Sequence, residues 1–121
     1  MAEIPSVLIV DDDPTHLQVY GWIVEAAGYR AMAAQVRFAG VDLPEGPADL
    51  VLLDDHLASR KTRAIDVANL LRTRLPGVPI IVLSDAMSLP EDIARLVQGF
   101  VRKGDPAKLV FRLRQLLPFS P

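Results

Sequence analysis

The chain has 121 residues, half of them hydrophobic, no cysteine and a formal net charge of −2. This length suits one domain with its own core, and the missing cysteine excludes disulfides and thiolate metal sites and fits a cytoplasmic setting. The slight negative charge offers no basic footprint for nucleic acid, no apolar run approaches the ~20 residues of a membrane helix, and Met1-Ala2-Glu3-Ile4-Pro5 lacks the layout of a signal peptide.

In chain order, Val7-Leu8-Ile9-Val10 reads as a buried strand over residues 6–10 that ends on Asp11-Asp12-Asp13. Asp13-Pro14 is a helix N-cap followed by proline at the first helical position, and Leu17, Tyr20, Val24 and Ala27 recur at helical spacing up to a Gly28 cap. Tyr29 to Ala33 predicts a modest second strand. Residues 34–47 hold Gly40, Pro44, Gly46 and Pro47, which allow at most one or two helical turns. Residues 49–54 form the third strand, with Val51-Leu52-Leu53 closed by Asp54. A polar loop over 55–63 carries Arg60, Lys61 and Arg63.

Ala64, Val67, Ala68, Leu71 and Leu75 make a helical stripe that Pro76-Gly77 stops. Val78 to Leu83 is the fourth strand, ending on Ser84. Ser88-Leu89-Pro90-Glu91 has capping-box spacing and predicts a helix continued by Ile93, Leu96 and Val97. Phe100-Val101-Arg102 is a short fifth strand before Lys103. Asp105-Pro106 repeats the cap-plus-proline signal ahead of Leu109, Leu113, Leu116 and Leu117. Strands alternating with helices predict an α/β fold whose parallel sheet is covered on both faces by right-handed crossovers. One domain fills the chain, with an ordered core over about residues 5–118, and Pro118-Phe119-Ser120-Pro121 reads as a terminus or the start of a linker.

Ligands of open parallel sheets bind at the carboxyl ends of the strands. Four strand ends here deliver carboxylates (Asp11, Asp12, Asp54), a hydroxyl (Ser84) and an ammonium (Lys103) to one edge. Crowded carboxylates repel unless a cation joins them, and magnesium, which takes oxygen ligands and keeps several waters, fits this set better than calcium. A carboxylate can also act as a nucleophile toward phosphorus, with an ammonium and a hydroxyl balancing the charge of the transferred group. Each residue also has a plain structural role open to it: a solvated helix start for Asp11-Asp12-Asp13, a satisfied turn for Ser84, a surface position for Lys103, a solvated loop for His56. Agreement of all four strand ends favours chemistry.

Taken together, Val7-Leu8-Ile9-Val10-Asp11-Asp12-Asp13-Pro14, Asp49-Leu50-Val51-Leu52-Leu53-Asp54, Ile80-Ile81-Val82-Leu83-Ser84 and Phe100-Val101-Arg102-Lys103 resemble the receiver domain of bacterial two-component response regulators. The resemblance runs over nearly the whole chain. It implies a flavodoxin-like (βα)5 three-layer sandwich with a parallel five-stranded sheet in the order 2-1-3-4-5. It also implies that Asp54 accepts a phosphoryl group from a histidine kinase or phosphotransfer protein. Asp12 would bind Mg2+ directly, Asp11 mostly through water, and the backbone carbonyl of His56 would complete the protein ligands. Ser84 would hydrogen-bond the phosphoryl group, Lys103 would pair with it, and Phe100 sits at the family's switch aromatic. Asp13 caps the helix. The domain would catalyse only its own phosphorylation and dephosphorylation, and would switch a surface of the fourth helix, fifth strand and fifth helix toward an unknown output partner. Neither nucleic acid nor a membrane is an expected direct partner.

Four departures qualify the resemblance. The loop after Asp54 lacks the usual proline and glycine and is about two residues longer. Asp85 follows Ser84 where a small residue is expected, so its carboxylate either crowds the acceptor with negative charge, modulating the chemistry, or turns to solvent. Gly104 replaces a proline, which loosens the expected aim of Lys103. The second helix is poorly formed. Asp85 and Gly104 keep open a degenerate receiver that signals by protein contacts without phosphorylation. A magnesium-dependent phosphohydrolase would need a general acid where His56 stands, and a nucleotide-binding module would need a glycine-rich loop that is missing.

Overall fold

The computed structural model describes residues 4–37, 40–57 and 63–118. The expected extra residues of the loop at 58–62 lie outside the described residues. In chain order the elements are β1 (Ser6–Asp11), α1 (Pro14–Ala26), β2 (Arg30–Arg37), β3 (Gly40–Val41), β4 (Leu50–Asp54), α2 (Ala64–Arg74), β5 (Ile80–Ser84), α3 (Glu91–Ala94), β6 (Gly99–Arg102) and α4 (Pro106–Leu116). The sheet order is β3-β2-β1-β4-β5-β6. Five of these strands are parallel, and taken alone they follow the expected 2-1-3-4-5 order. The architecture is the flavodoxin-like three-layer sandwich.

Strand alternation builds the two outer layers. Side chains two apart point to the same face, so β1 sends Leu8 and Val10 one way and Val7 and Ile9 the other. The first pair packs with Val51, Leu53 and Val82 under Val67, Ala68 and Leu71 of α2 and Ile93 of α3. The second packs with Leu50, Leu52, Ile81 and Leu83 under Val24 of α1 and Leu109 and Leu113 of α4. The central strands β1, β4 and β5 are buried along their whole length. That is why they read as continuous apolar runs rather than alternating ones.

Two helix starts expected from the sequence form as expected. Asp13 Oδ1 accepts the Thr15 N–H at 2.8 Å ahead of Pro14, and Asp105 Oδ1 accepts the Lys108 N–H at 3.0 Å ahead of Pro106. A proline at the first helical position forfeits nothing, because its missing N–H would have had no partner there.

Three regions differ from the expectation. The second strand runs four residues further than Ala33, and β3 folds back on it antiparallel, pairing Val36 with Val41 and Arg37 with Gly40. No helix forms between β2 and β4 among the described residues, so the sheet gains a sixth strand where helical turns were allowed for. Ala34 and Val36 are buried, and Met32, Val41 and Leu43 pack on the same cluster. The hairpin and its following loop thus cover the sheet in place of a helix. Pro44 and Pro47 supply no amide donors, and Gly46 takes a φ of 109°, so the segment from 42 to 49 bends without forming a helix or a strand.

The capping box predicted at Ser88 does not form: α3 starts at Glu91 behind Pro90 and lasts four residues. The reason is local. A cap at Ser88 would put Leu89 in helical geometry, and the residue before a proline is pushed out of that region. Leu96 and Val97 continue as a turn, which Arg72 of α2 holds by donating from Nε to the Leu96 carbonyl at 2.8 Å.

Candidate functional site at the carboxyl edge of the sheet

β1 and β4 are neighbours, and each ends on a buried aspartate. Asp11 and Asp54 are both 1 % exposed. Asp12, one residue beyond Asp11, is half-buried. β5 ends on Ser84, fully buried, and the Lys103 N–H donates to the Ser84 carbonyl at 3.0 Å, which extends the β5–β6 pairing one step. The side chain of Lys103 then crosses to β4, where Nζ lies 2.6 Å from Asp54 Oδ1 and 4.0 Å from Asp55 Oδ1. The His56 N–H donates to Asp54 Oδ1 at 3.1 Å. Asp12, Asp13, Pro14, His16, Asp54, His56 and Lys103 line one open cleft of about 420 Å³. The sequence-predicted acids and the lysine therefore meet at one place.

Charge states follow from this packing. Burial pushes the Asp11 carboxyl up to about 7, against the pull of the Asp13 N–H, and the negative charge of Asp54 pushes it the same way. The Asp13 N–H donates to Asp11 Oδ1 at 3.0 Å, while Asp11 Oδ2 is buried with no hydrogen-bond partner. Burial works against the Lys103 ammonium, but the hydrogen bond to Asp54 and the charges of Asp54, Asp55 and Asp85 outweigh it and raise its pKa. A raised carboxyl and a buried oxygen without a hydrogen bond, beside a single lysine drawn to Asp54, describe a site with room for more positive charge.

Two residues that the sequence reading passed over belong to this site. Asp55 Oδ2 accepts the Ser84 hydroxyl at 2.5 Å, and the Ala86 N–H donates back to Ser84 Oγ at 3.0 Å. His16, in the first turn of α1, places Nδ1 3.3 Å from Asp11 Oδ2 and Nε2 3.7 Å from Asp13 Oδ2. Asp11, His16 and Asp54 each offer one potential ligand atom, and these atoms all lie within 4.8 Å of one another. A signal for His16 was present. It is the third helical residue after the Asp13 cap, and side chains at that position reach back over the helix start.

Comparison with known proteins settles the class. The family model for the response regulator receiver domain matches residues 7–113. The chain belongs to the response regulator receiver family. Such receivers are signalling modules of two-component systems rather than turnover enzymes. The receiver is 33% identical over 125 residues to the probable transcriptional regulatory protein TcrX of Mycobacterium tuberculosis, covering 93% of this chain and 49% of that protein. It is 30% identical over 94 residues to the transcriptional regulatory protein GlrR of Escherichia coli, covering 77% of this chain and 21% of that protein. The chain thus spans half or less of the length of these curated relatives. Among solved structures, response regulator TrrA of Thermotoga maritima, crystallised with Mg2+-BeF, superposes with a TM-score of 0.78 at 23% identity over 94% of this chain and 100% of that one. The Vibrio cholerae chemotaxis protein CheY4 gives 0.79 at 22% identity over 95% and 100%. At these identities the structures establish a shared fold.

The receiver's departures from its family can now be placed. Gly104 has a φ of 81°, a left-handed turn closed to proline, whose ring holds φ near −65°. With glycine in that turn, the Lys103 ammonium lies against Asp54. Asp85 is exposed, so it adds no bulk at the acceptor, although its charge contributes to the raised Lys103. Phe100 on β6 is half-buried and packs on the cluster beneath α2 and α3. Among the described residues no helix is long and apolar enough to cross a membrane.

Proposed function

We propose that this receiver accepts a phosphoryl group on Asp54 from a histidine kinase or phosphotransfer protein, with Mg2+ as cofactor. The observation that carries the reading is the pair of buried carboxylates, Asp11 and Asp54, side by side at the carboxyl edge with the Lys103 ammonium 2.6 Å from the acceptor. The residues fit a cation, because Asp11 Oδ2 is buried without a hydrogen bond and lies in a cluster of ligand-type atoms from Asp11, His16 and Asp54. Asp12 and Asp54 would hold the ion through their carboxylates and His56 through its backbone carbonyl, with Asp11 mostly acting through water. When bound, the cation neutralises charge on the phosphoryl oxygens.

The chain's own residues do the rest. An oxygen of the ionised Asp54 forms the new bond to phosphorus as the bond to the donor's imidazole nitrogen breaks, and the electron pair leaves with that nitrogen. Lys103, already against Asp54, is placed to pair with the added charge. Ser84 would leave Asp55 and donate to a phosphoryl oxygen. Its movement opens space for Phe100 to repack on β6, and the surface of α3, β6 and α4 would carry the change to the output partner. The protein should gain one phosphoryl group from acetyl phosphate in Mg2+, read as a single mass increment, and Asp54→Asn should gain none. Absence of labelling in the wild type would favour signalling by protein contacts alone, and labelling of Asp54→Asn would move the acceptor elsewhere.

A further inference from the structure

The cation cluster contains a nitrogen. His16 stands in the first turn of α1, where helical side chains lean back toward the N-terminus, and this brings its ring over the end of β1. Nδ1 lies 3.3 Å from Asp11 Oδ2, the buried oxygen without a hydrogen-bond partner. One potential ligand atom from each of Asp11, His16 and Asp54 falls within 4.8 Å of the others. Around a six-coordinate ion with bonds of about 2.1 Å, neighbouring ligands sit about 3 Å apart and opposite ones about 4.2 Å. The 3.3 Å from His16 Nδ1 to Asp11 Oδ2 matches neighbouring ligands, and the set as a whole, spread over as much as 4.8 Å, would draw in by about 0.6 Å around one small ion.

Ligand chemistry then decides which ion gains. Magnesium takes oxygen almost exclusively, so an imidazole adds nothing to its binding. Imidazole suits Zn2+, Ni2+ and similar first-row cations, whose affinity for mixed nitrogen and oxygen sites rises along the series from Mn2+. We propose that His16 is a nitrogen ligand of a first-row transition cation seated at the Asp11 end of this site, where Asp11 binds directly rather than through the water it would use with Mg2+, and that it gives the site a preference for such a cation over Mg2+. The proposal rests on the cation site described under the proposed function and changes which ion that site selects.

A competing role is available from the same geometry. A charged His16, also 3.7 Å from Asp13 Oδ2, would itself neutralise the acids as an internal counter-ion. The two roles have opposite signs. Removing a ligand weakens Ni2+ and leaves Mg2+ unchanged, whereas removing a counter-ion tightens Mg2+.

Calorimetric titration of the whole chain with Ni2+ and with Mg2+ tests this, using wild type, His16→Leu and Asp11→Asn, together with the imidazole nitrogen resonances of the wild type on addition of Zn2+. The expected result is that His16→Leu loses about tenfold or more in Ni2+ affinity with Mg2+ affinity held, and that one ring nitrogen of His16 shifts on Zn2+ binding. Equal effects on the two ions, no effect on Ni2+, tighter Mg2+ binding, or a silent His16 ring would each overturn the nitrogen ligand while leaving the cation site intact. Failure of the wild type to bind either ion would refute the cation site itself and the proposal with it, whereas Ni2+ binding that survives Asp11→Asn unaltered would overturn the Asp11–His16 ligand pair alone.

Discussion

Asp55 already occupies the two groups that a phosphoryl group on Asp54 would need. One of its oxygens takes the Ser84 hydroxyl at 2.5 Å and the other lies 4.0 Å from the Lys103 ammonium. Phosphorylation must therefore break a hydrogen bond to an ionised acceptor, a type worth roughly 1.5–3 kcal/mol when well shielded. Asp55 is only half-buried, and solvent reduces that to about 1 kcal/mol. Asp55→Ala should accordingly speed labelling by acetyl phosphate several-fold, with Asp54 still the acceptor. A rate equal to or below the wild type would show that the contact does not restrain Ser84. The same residue marks where sequence reading stops. Asp11, Asp54, Ser84 and Lys103 are legible because each closes an apolar strand, and parallel strands deliver their ends to one edge. Asp55 lies one step past a strand, where side-chain direction depends on the path of the loop. His16 was legible only through its helix position, and a lone histidine in a polar turn draws no attention without the acids that the fold sets beside it.

At the scale of elements, the departures lie between β2 and β4, at α3 and at the turn after β6. Strong strands and the two cap-plus-proline helices were legible, since burial on both faces and the N-cap geometry leave few alternatives. The β2–β3 hairpin was not, because residues 34–47 lack any sustained period and what they cover is decided by the sheet beside them. The length of α3 was set by one proline, through the restriction it places on Leu89. The turn after β6 offers a direct test. Gly104 holds a left-handed φ of 81°, with open space where a Cβ would be. Gly104→Ala should thus meet only the backbone penalty, about 1–2 kcal/mol, seen as a lower midpoint in chemical denaturation. Gly104→Pro, the family residue at this place, requires the turn to be rebuilt. It should cost more than the alanine and should slow phosphorylation by shifting Lys103. A proline variant as stable as wild type would show that the turn adapts freely.

Across the whole molecule, two apolar layers clamp a sheet whose ends carry its charge. The layers bury β1, β4 and β5 so completely that the acids ending β1 and β4 and the serine ending β5 are drawn out of water with them. The arrangement sets function against stability, and Asp11 gives the sign. Its carboxyl ionises at about 7 in the folded, metal-free protein against an ordinary 3.8. A group whose folded pKa lies above its unfolded one binds the proton more tightly when folded. Stability is therefore greatest below about pH 4, so far as this group is concerned, and falls as pH rises toward about 7. At about 1.4 kcal/mol per pKa unit the ceiling on this loss is about 4 kcal/mol. Asp11→Asn keeps the acceptor for the Asp13 N–H, removes the ionisation, and should raise the metal-free melting temperature near pH 8 while changing it little near pH 4. A saturating divalent cation should narrow the gap between the two proteins at pH 8, because the bound charge relieves the ionised Asp11 of the wild type and has no such carboxylate to relieve in the asparagine variant. Thermal scans of both proteins at the two pH values, with and without cation, separate the effect of the proton from that of the cation. A metal-free Asp11→Asn that melts below the wild type at pH 8 would show that the buried carboxylate stabilises the fold, and that the crowding of acids at the sheet's edge is already compensated from within.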